Sequence, residues 1–315
     1  MTDSDRDHRS RGTADRSDSG APAGGYAIRD RFSADEIFQR IVVAADEEVT
    51  ARPRKLFAGG LAAGFAITVT FLLYAALTAA TGGDPVLSAL LYPLGFVFII
   101  LGDYQLYTEN TLPPVMLVLV RLASLPALVR IWVIVLAGNF VGGGLGAIAL
   151  SSTGVLSPES AMAAEGFARE AIATPWWALF TKAVFAGLIV AGVVWVDYSL
   201  RDGIARIVMV YISFLAIPYG NLYHVVVSWT EMLYLVAESD LALSVGLTEF
   251  VLPVLLGNSA GGVVLVTVVN YFQTTERRVA TARDREIELL TPREWLLGGL
   301  VGSDRSYVPS DDQRE

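Results

Sequence analysis

The 315-residue chain has no cysteine, which excludes disulfides, thiol nucleophiles and thiolate-held clusters together. Lysine is nearly absent too: Lys55 and Lys182 are the only two, and every other basic residue is arginine. Histidine is equally sparse, with His8 near the N terminus and His224 inside a long apolar run. With one histidine in the apolar part and no cluster of metal-ligating types, neither an acid–base pair nor a nucleophile–base pair is in view. An enzyme is therefore not expected, and neither is a metal or cofactor. Dense Lys/Arg stretches are missing as well, so nucleic acid is not an expected partner.

What the chain has is apolar length. Apolar residues make up 53% and charged residues only 17%, values that fit a polytopic membrane protein and not a soluble enzyme. The net charge of −9 gathers in the polar ends. Residues 1 to about 30 are Asp-, Arg-, Ser- and Gly-rich with no apolar core, which reads as a disordered tail and not a signal peptide. Ser33 and Glu36 form a capping-box pattern, and Ile37, Ile41, Val42 and Val49 share one side of the helix that follows. That helix is expected to lie against the cytosolic face of the membrane part.

Six apolar spans are expected: 57–80, 86–120 with an interruption at 103–114, 131–150, 176–196, 204–236 with an interruption near 218–224, and 250–272. Each supplies at least roughly the 20 residues needed to cross about 30 Å of hydrocarbon. Arg52, Arg54, Lys55, Arg121, Arg130, Arg201, Arg206, Arg277 and Arg278 all flank one side; the other side has Arg169 alone. The positive-inside rule then puts both termini in the cytoplasm. The chain divides into a cytosolic tail and amphipathic helix (1–50), a six-helix membrane domain (51–274) and a cytosolic C-terminal tail (275–315). Within that tail, Thr291-Pro292-Arg293-Glu294 is a helix start.

The fifth span carries the chemistry. Pro218 cannot donate a helical hydrogen bond, and Gly220 and Asn221 tolerate non-helical backbone, so the helix should break just before His224. Irregular backbone and an ionisable side chain at membrane depth are costly unless they face a cavity, so together they mark a solute site. The two halves of the chain also echo each other. Phe57-Ala58-Gly59-Gly60 with Gly64 opens span one, and Phe185-Ala186-Gly187 with Gly192 lies in span four. Gly138-Asn139 in span three corresponds to Gly257-Asn258 in span six, and in each half the middle span is broken. Three spans per half means the halves face opposite ways, an inverted 3+3 repeat with a permeation site between the paired breaks. On that reading Glu109, in the first break, and His224, in the second, should face each other across one midplane cavity, unless Glu109 turns to a subunit contact instead.

This ordered set resembles the formate/nitrite transporter family over about 52–273. The residues that carry the resemblance are Phe57–Gly60, Leu106-Tyr107-Thr108, Gly138-Asn139, Trp195 to Arg201, His224, and Pro253 to Gly262. The resemblance implies an all-α membrane protein with an aquaporin-like six-helix protomer, helices 2 and 5 broken, assembled as a homopentamer with lipid in its central hole. It also implies one pore per protomer, for small monovalent anions or their conjugate acids with linked protons. Leu106, Tyr107 and Thr108 would form a gating loop, Phe96 and Ile217 would be apolar constrictions, and Thr108 would bond His224 or a passing solute. Lys182 would draw anions into a vestibule, or else snorkel to the headgroups.

Several positions depart from the family pattern. The family usually has Gly-Phe-Glu-His followed four residues later by asparagine; here Asn221-Leu222-Tyr223-His224 is followed by Ser228. Tyr107 replaces phenylalanine, Glu109 is an acid at an uncharged place, Glu231 is a further acid, and Gly187 replaces asparagine. The leading expectation is a channel or proton-linked transporter for weak-acid anions such as formate or nitrite in the plasma membrane. The alternative is a water or small neutral-solute channel, which the two extra acids favour.

Overall fold

The computed structural model describes residues 32–273 and 289–298. The expected disordered ends, and Arg277 and Arg278, lie outside the described residues. Among those described, every regular element is helical. Helix α1 (Ala34–Thr50) begins one residue after Ser33, and Ile37, Ile41, Val42 and Val49 are all buried, as their spacing predicts. It packs on α5 (Pro113–Leu119).

Four helices are long and apolar enough to cross a membrane: α2 (Pro53–Thr81), α6 (Leu125–Ser152), α8 (Trp176–Asp197) and α11 (Leu243–Gln273). Their ends follow local chemistry. Pro53 starts α2, where a missing N–H costs nothing, and Gly82 ends it in the left-handed region at φ 65°. Ser124 caps α6 by accepting from Ala127 N. Helix α11 contains two π-helical stretches, Gly246–Val251 and Gly261–Val268, which re-aim its faces along its length.

The remaining apolar segments are interrupted. Between α2 and α6 the chain forms α3 (Pro85–Ala89), α4 (Leu94–Leu101), a loop with one 3₁₀ turn at Glu109–Thr111, and α5. Asp103 leaves α4 at φ 54°. Between α8 and α11 it forms α9 (Gly203–Tyr219), a loop, and α10 (Val225–Glu238). Pro218 is accommodated in the last turn of α9, so the break falls just after it, at Gly220–Asn221. Of those two, Asn221 takes the left-handed conformation (φ 49°), and Leu222 N bonds back to Ile217 O. Asparagine is among the few non-glycine residues that adopt it cheaply.

One helix was not legible from apolar runs. Helix α7 (Pro158–Ala173) is capped by Ser157 and buries Ser160, Ala164, Ala168 and Ala171 against α2 and α10. Its spacing of small residues and its Ser-Pro start were the available signal. Helix α12 (Pro292–Leu297) carries the expected capping box between Thr291 and Glu294. It docks through Trp295 Nε1, which donates to Val118 O at 2.8 Å.

Glycine sets the helix spacing. A Cβ at Gly64 would stand 2.6 Å from Gly143 N, and one at Gly60 2.8 Å from Val135 O, so α2 and α6 touch backbone to backbone. Gly187 does the same for α8 and α11: a Cβ there would stand 2.7 Å from Asn258 Cα and nearer still to its carbonyl oxygen. No side chain fits at 187, so glycine in place of the family's asparagine is here a condition of packing. Without water between helices to expel, close approach of this kind supplies the attraction.

Candidate functional site

Two fully buried asparagines hold the two loops. Asn139 on α6 donates from Nδ2 to Gly60 O (2.9 Å) and Gln105 O (2.8 Å), and accepts from Tyr107 N at 2.9 Å. Asn258 on α11 donates to Ala183 O (2.8 Å) and Tyr223 O (2.9 Å), and accepts from Val225 N at 2.8 Å. Each asparagine thus ties a neighbouring helix to a loop by the same three-bond pattern. A loop in an apolar interior must satisfy its backbone somewhere, and these amides do so. The sequence had flagged both Gly-Asn pairs for their glycines; the asparagines' part as fasteners needed the third dimension.

The two loops meet at His224. Its Nε2 is hydrogen-bonded to Thr108 Oγ1 at 2.8 Å, and both residues are buried. His224 also begins α10, with extended backbone at φ −111°. The edge of its ring meets Phe96 with centroids 5.1 Å apart, and Phe96 in turn stacks on Phe214 at 3.9 Å. His224 Nδ1 is buried and has no hydrogen-bond partner. Thr108 is steadied by its neighbour: Thr111 Oγ1 donates to Thr108 O at 2.7 Å, and Thr267 Oγ1 donates to Thr111 O at 2.8 Å. Leu106 and Ile217 are completely buried in the two interrupted segments. Tyr107 OH is bonded to Ser259 Oγ at 2.8 Å.

A cavity of about 320 Å³ reaches His224 from the end of the molecule where α2 terminates. Its wall includes Tyr74, Tyr92, Glu170, Tyr223, Ser228 and Glu231. Ser228 Oγ is buried without a hydrogen-bond partner, and Glu231 is 6% exposed. Lys182 is half-buried and sits over the Tyr223 ring, 5.5 Å from its centroid. Tyr223 itself lines the cavity.

A second cavity of about 90 Å³ lies near the opposite end of α2, lined by Glu48, Ile99, Asp103, Glu109, Asp197 and Arg206 among others. Arg206 pairs with Asp197 through two 2.6 Å hydrogen bonds. Glu48 Oε2 and Glu109 Oε1 are buried with no hydrogen-bond partner. On α1, burial holds the Glu48 carboxyl up at about 8, with Asp103 and Glu47 adding to the rise and Lys55 opposing it.

Of these two cavities, the larger is lined by His224 and the smaller by Glu109. The 3₁₀ turn at 109–111 directs Thr108 towards the histidine and leaves Glu109 on the α1 side, because Asn110 and Thr111 anchor the loop between them. Glu48, Tyr74 and Tyr92 were not singled out from sequence, since they lie far in the chain from the residues they join.

Apolar crossing helices around two stapled loops and one buried histidine define an all-helical membrane protein with polar cavities inside it. The sequence profile of the formate/nitrite transporters matches residues 35–272, and the chain belongs to that family. It is similar to the inner membrane protein YfdC of Escherichia coli (strain K12), 28% identical over 258 residues that cover 79% of this chain and 83% of that one. It is also similar to the formate channel FocA of Haemophilus influenzae, 29% identical over 161 residues, though the match spans only 47% of this chain and 55% of that protein. Among solved structures, an FNT family ion channel superposes with a TM-score of 0.70 at 18% identity, covering 76% of this chain and 99% of that one. A pentameric formate channel with formate bound gives a TM-score of 0.59 at 17% identity, covering 70% and 97%. These likenesses agree with the all-helical channel fold.

Proposed function

We propose that this protein is a membrane channel or proton-linked transporter for small monovalent weak-acid anions, formate or nitrite among them. The observation that carries the reading is the Thr108–His224 hydrogen bond, which joins both interrupted segments at the inner end of the larger cavity. In this reading the membrane domain (51–274) is an inverted 3+3 repeat in which α3–α5 and α9–α10 are the broken second and fifth spans. The matched asparagine bonds and the formate channel neighbours support it. Five copies assemble, and the termini face the cytoplasm.

The energetics favour passage as the neutral acid. A bare anion costs several kcal/mol or more to desolvate against Phe96, Leu106 and Ile217. Protonating an acid of pKa about 4 at pH 7 costs about 4 kcal/mol, at 1.36 per unit. His224 either lends that proton or donates a hydrogen bond while neutral. Lys182, held over Tyr223, raises the anion concentration at the larger cavity.

Uptake of labelled formate into proteoliposomes tests the reading. His224→Ala, in protein that still assembles, should lower uptake at every pH. Unaffected uptake would overturn the site. A water or neutral-solute channel is the second reading, favoured by carboxylates in both cavities; swelling in glycerol without formate uptake would establish it instead.

A further inference from the structure

We infer that Tyr107 is a positioning residue: by donating its phenol O–H to Ser259 on α11, it latches the loop that carries Leu106 and Thr108 across the solute path. The inference rests on the transport reading above and deepens it by naming a contact that sets how often the path opens.

Passage past His224 needs room where Phe96, Leu106 and Ile217 are completely buried, so the loop before the 3₁₀ turn has to shift. Its ties therefore govern the flux. Tyr107 N is held by Asn139, and Thr108 Oγ1 is held by His224. The tyrosine side chain makes a separate connection. Its ring meets Trp132 of α6 edge-on, with centroids 5.8 Å apart, and its hydroxyl reaches Ser259 Oγ at 2.8 Å. Of the two cavities, neither is lined by Tyr107 or Ser259, so the bond acts on the loop and not on a solute. Ser259 directly follows Asn258, the fastener of the second interruption. The bond thus ties the first loop to the turn of α11 that holds the second.

The direction of the bond follows from its neighbours. Ser259 Oγ donates to Leu255 O at 2.7 Å, which uses its only hydrogen. Tyr107 is therefore the donor and Ser259 the acceptor. The two ends are then unequal. Removing the phenol oxygen leaves Ser259 satisfied within its own helix and costs the closed loop one net hydrogen bond, worth roughly a 2- to 10-fold shift in an equilibrium. Removing the serine oxygen strands a phenol O–H in a residue only 5% exposed, which penalises the closed loop further. Phenylalanine, usual at this place in the family, would fill the same space without the bond.

Initial uptake of labelled formate into proteoliposomes tests the latch, with labelled acetate run beside it. Tyr107→Phe should raise formate uptake roughly 2- to 10-fold. The formate-to-acetate ratio should stay as in wild type, because a loop that opens more often admits every solute alike. Ser259→Ala should raise uptake at least as much. Adding Ser259→Ala to Tyr107→Phe should change nothing further, since the donor is already gone. Loss of packing alone would lower uptake in both variants and make their effects add. Unchanged or lowered uptake in Tyr107→Phe protein that elutes like wild type would overturn the inference, as would additive effects in the double variant. Should Tyr107→Phe not assemble, Ser259→Ala carries the test, and uptake at or below the wild-type level overturns the inference. No formate uptake by wild type or by either variant would instead overturn the transport reading, and the inference with it.

Discussion

Replacing Asn258 with alanine should loosen the second interruption more than its small volume implies. The side chain makes three hydrogen bonds of 2.8–2.9 Å and is completely buried. Ala183 C=O lies within α8 and keeps a helical partner, so the variant orphans two groups, Val225 N–H and Tyr223 C=O. Buried polar groups left unmade cost about 1–3 kcal/mol each, or roughly 2–6 kcal/mol together. For a domain of this size that corresponds to a fall in melting temperature on the order of 10 °C. Because Val225 directly follows His224, the loss should also disturb the Thr108 contact and lower formate flux. Asn258→Asp is the control: it keeps the acceptor for Val225 N but sets an oxygen against the Ala183 and Tyr223 carbonyls, so it should not rescue. Asn139→Ala, with the matching bonds, should behave alike. Tryptophan-monitored unfolding in detergent, with flux in liposomes, measures both effects. Variants melting within about 1 °C of wild type with full flux would refute the fastening role.

Gly187→Ala should prevent α8 and α11 from closing, giving protein that fails to assemble in size-exclusion chromatography, because the new methyl collides with the Asn258 backbone. Glu48 supplies a pH dependence. Its folded pKa of about 8 lies above the unfolded 4.5, so its contribution is complete below 4.5 and is lost as pH rises through about 8. Glu48→Gln should therefore match wild-type melting at pH 5 and exceed it at pH 9; parallel curves would exclude the effect. Topology is testable because the chain lacks cysteine: Ser157→Cys should react with an impermeant thiol reagent added outside intact cells, and Glu47→Cys should not.

Much was settled by the chain's own chemistry. Apolar length, proline and glycine placement and the buried stripe of α1 predicted the long helices and both interruptions, though α6 and α11 begin at Leu125 and Leu243, ahead of the expected 131 and 250. These are local properties, determined by the cost of exposing polar backbone to lipid. His224 stood out because an ionisable group in an apolar run is rare. Its bond to Thr108 follows the family resemblance, which suggested it before any geometry was known. What only the tertiary structure decided were the relations between distant residues. Asn139 and Asn258 became fasteners because three backbone groups from separate segments converge on each amide. Glu109 went to the α1 side because a 3₁₀ turn rotates it away from Thr108, and no apolar periodicity encodes that rotation. Glu48 gained its setting chiefly from burial, with Asp103 of a distant segment adding to what its chain neighbour Glu47 contributes.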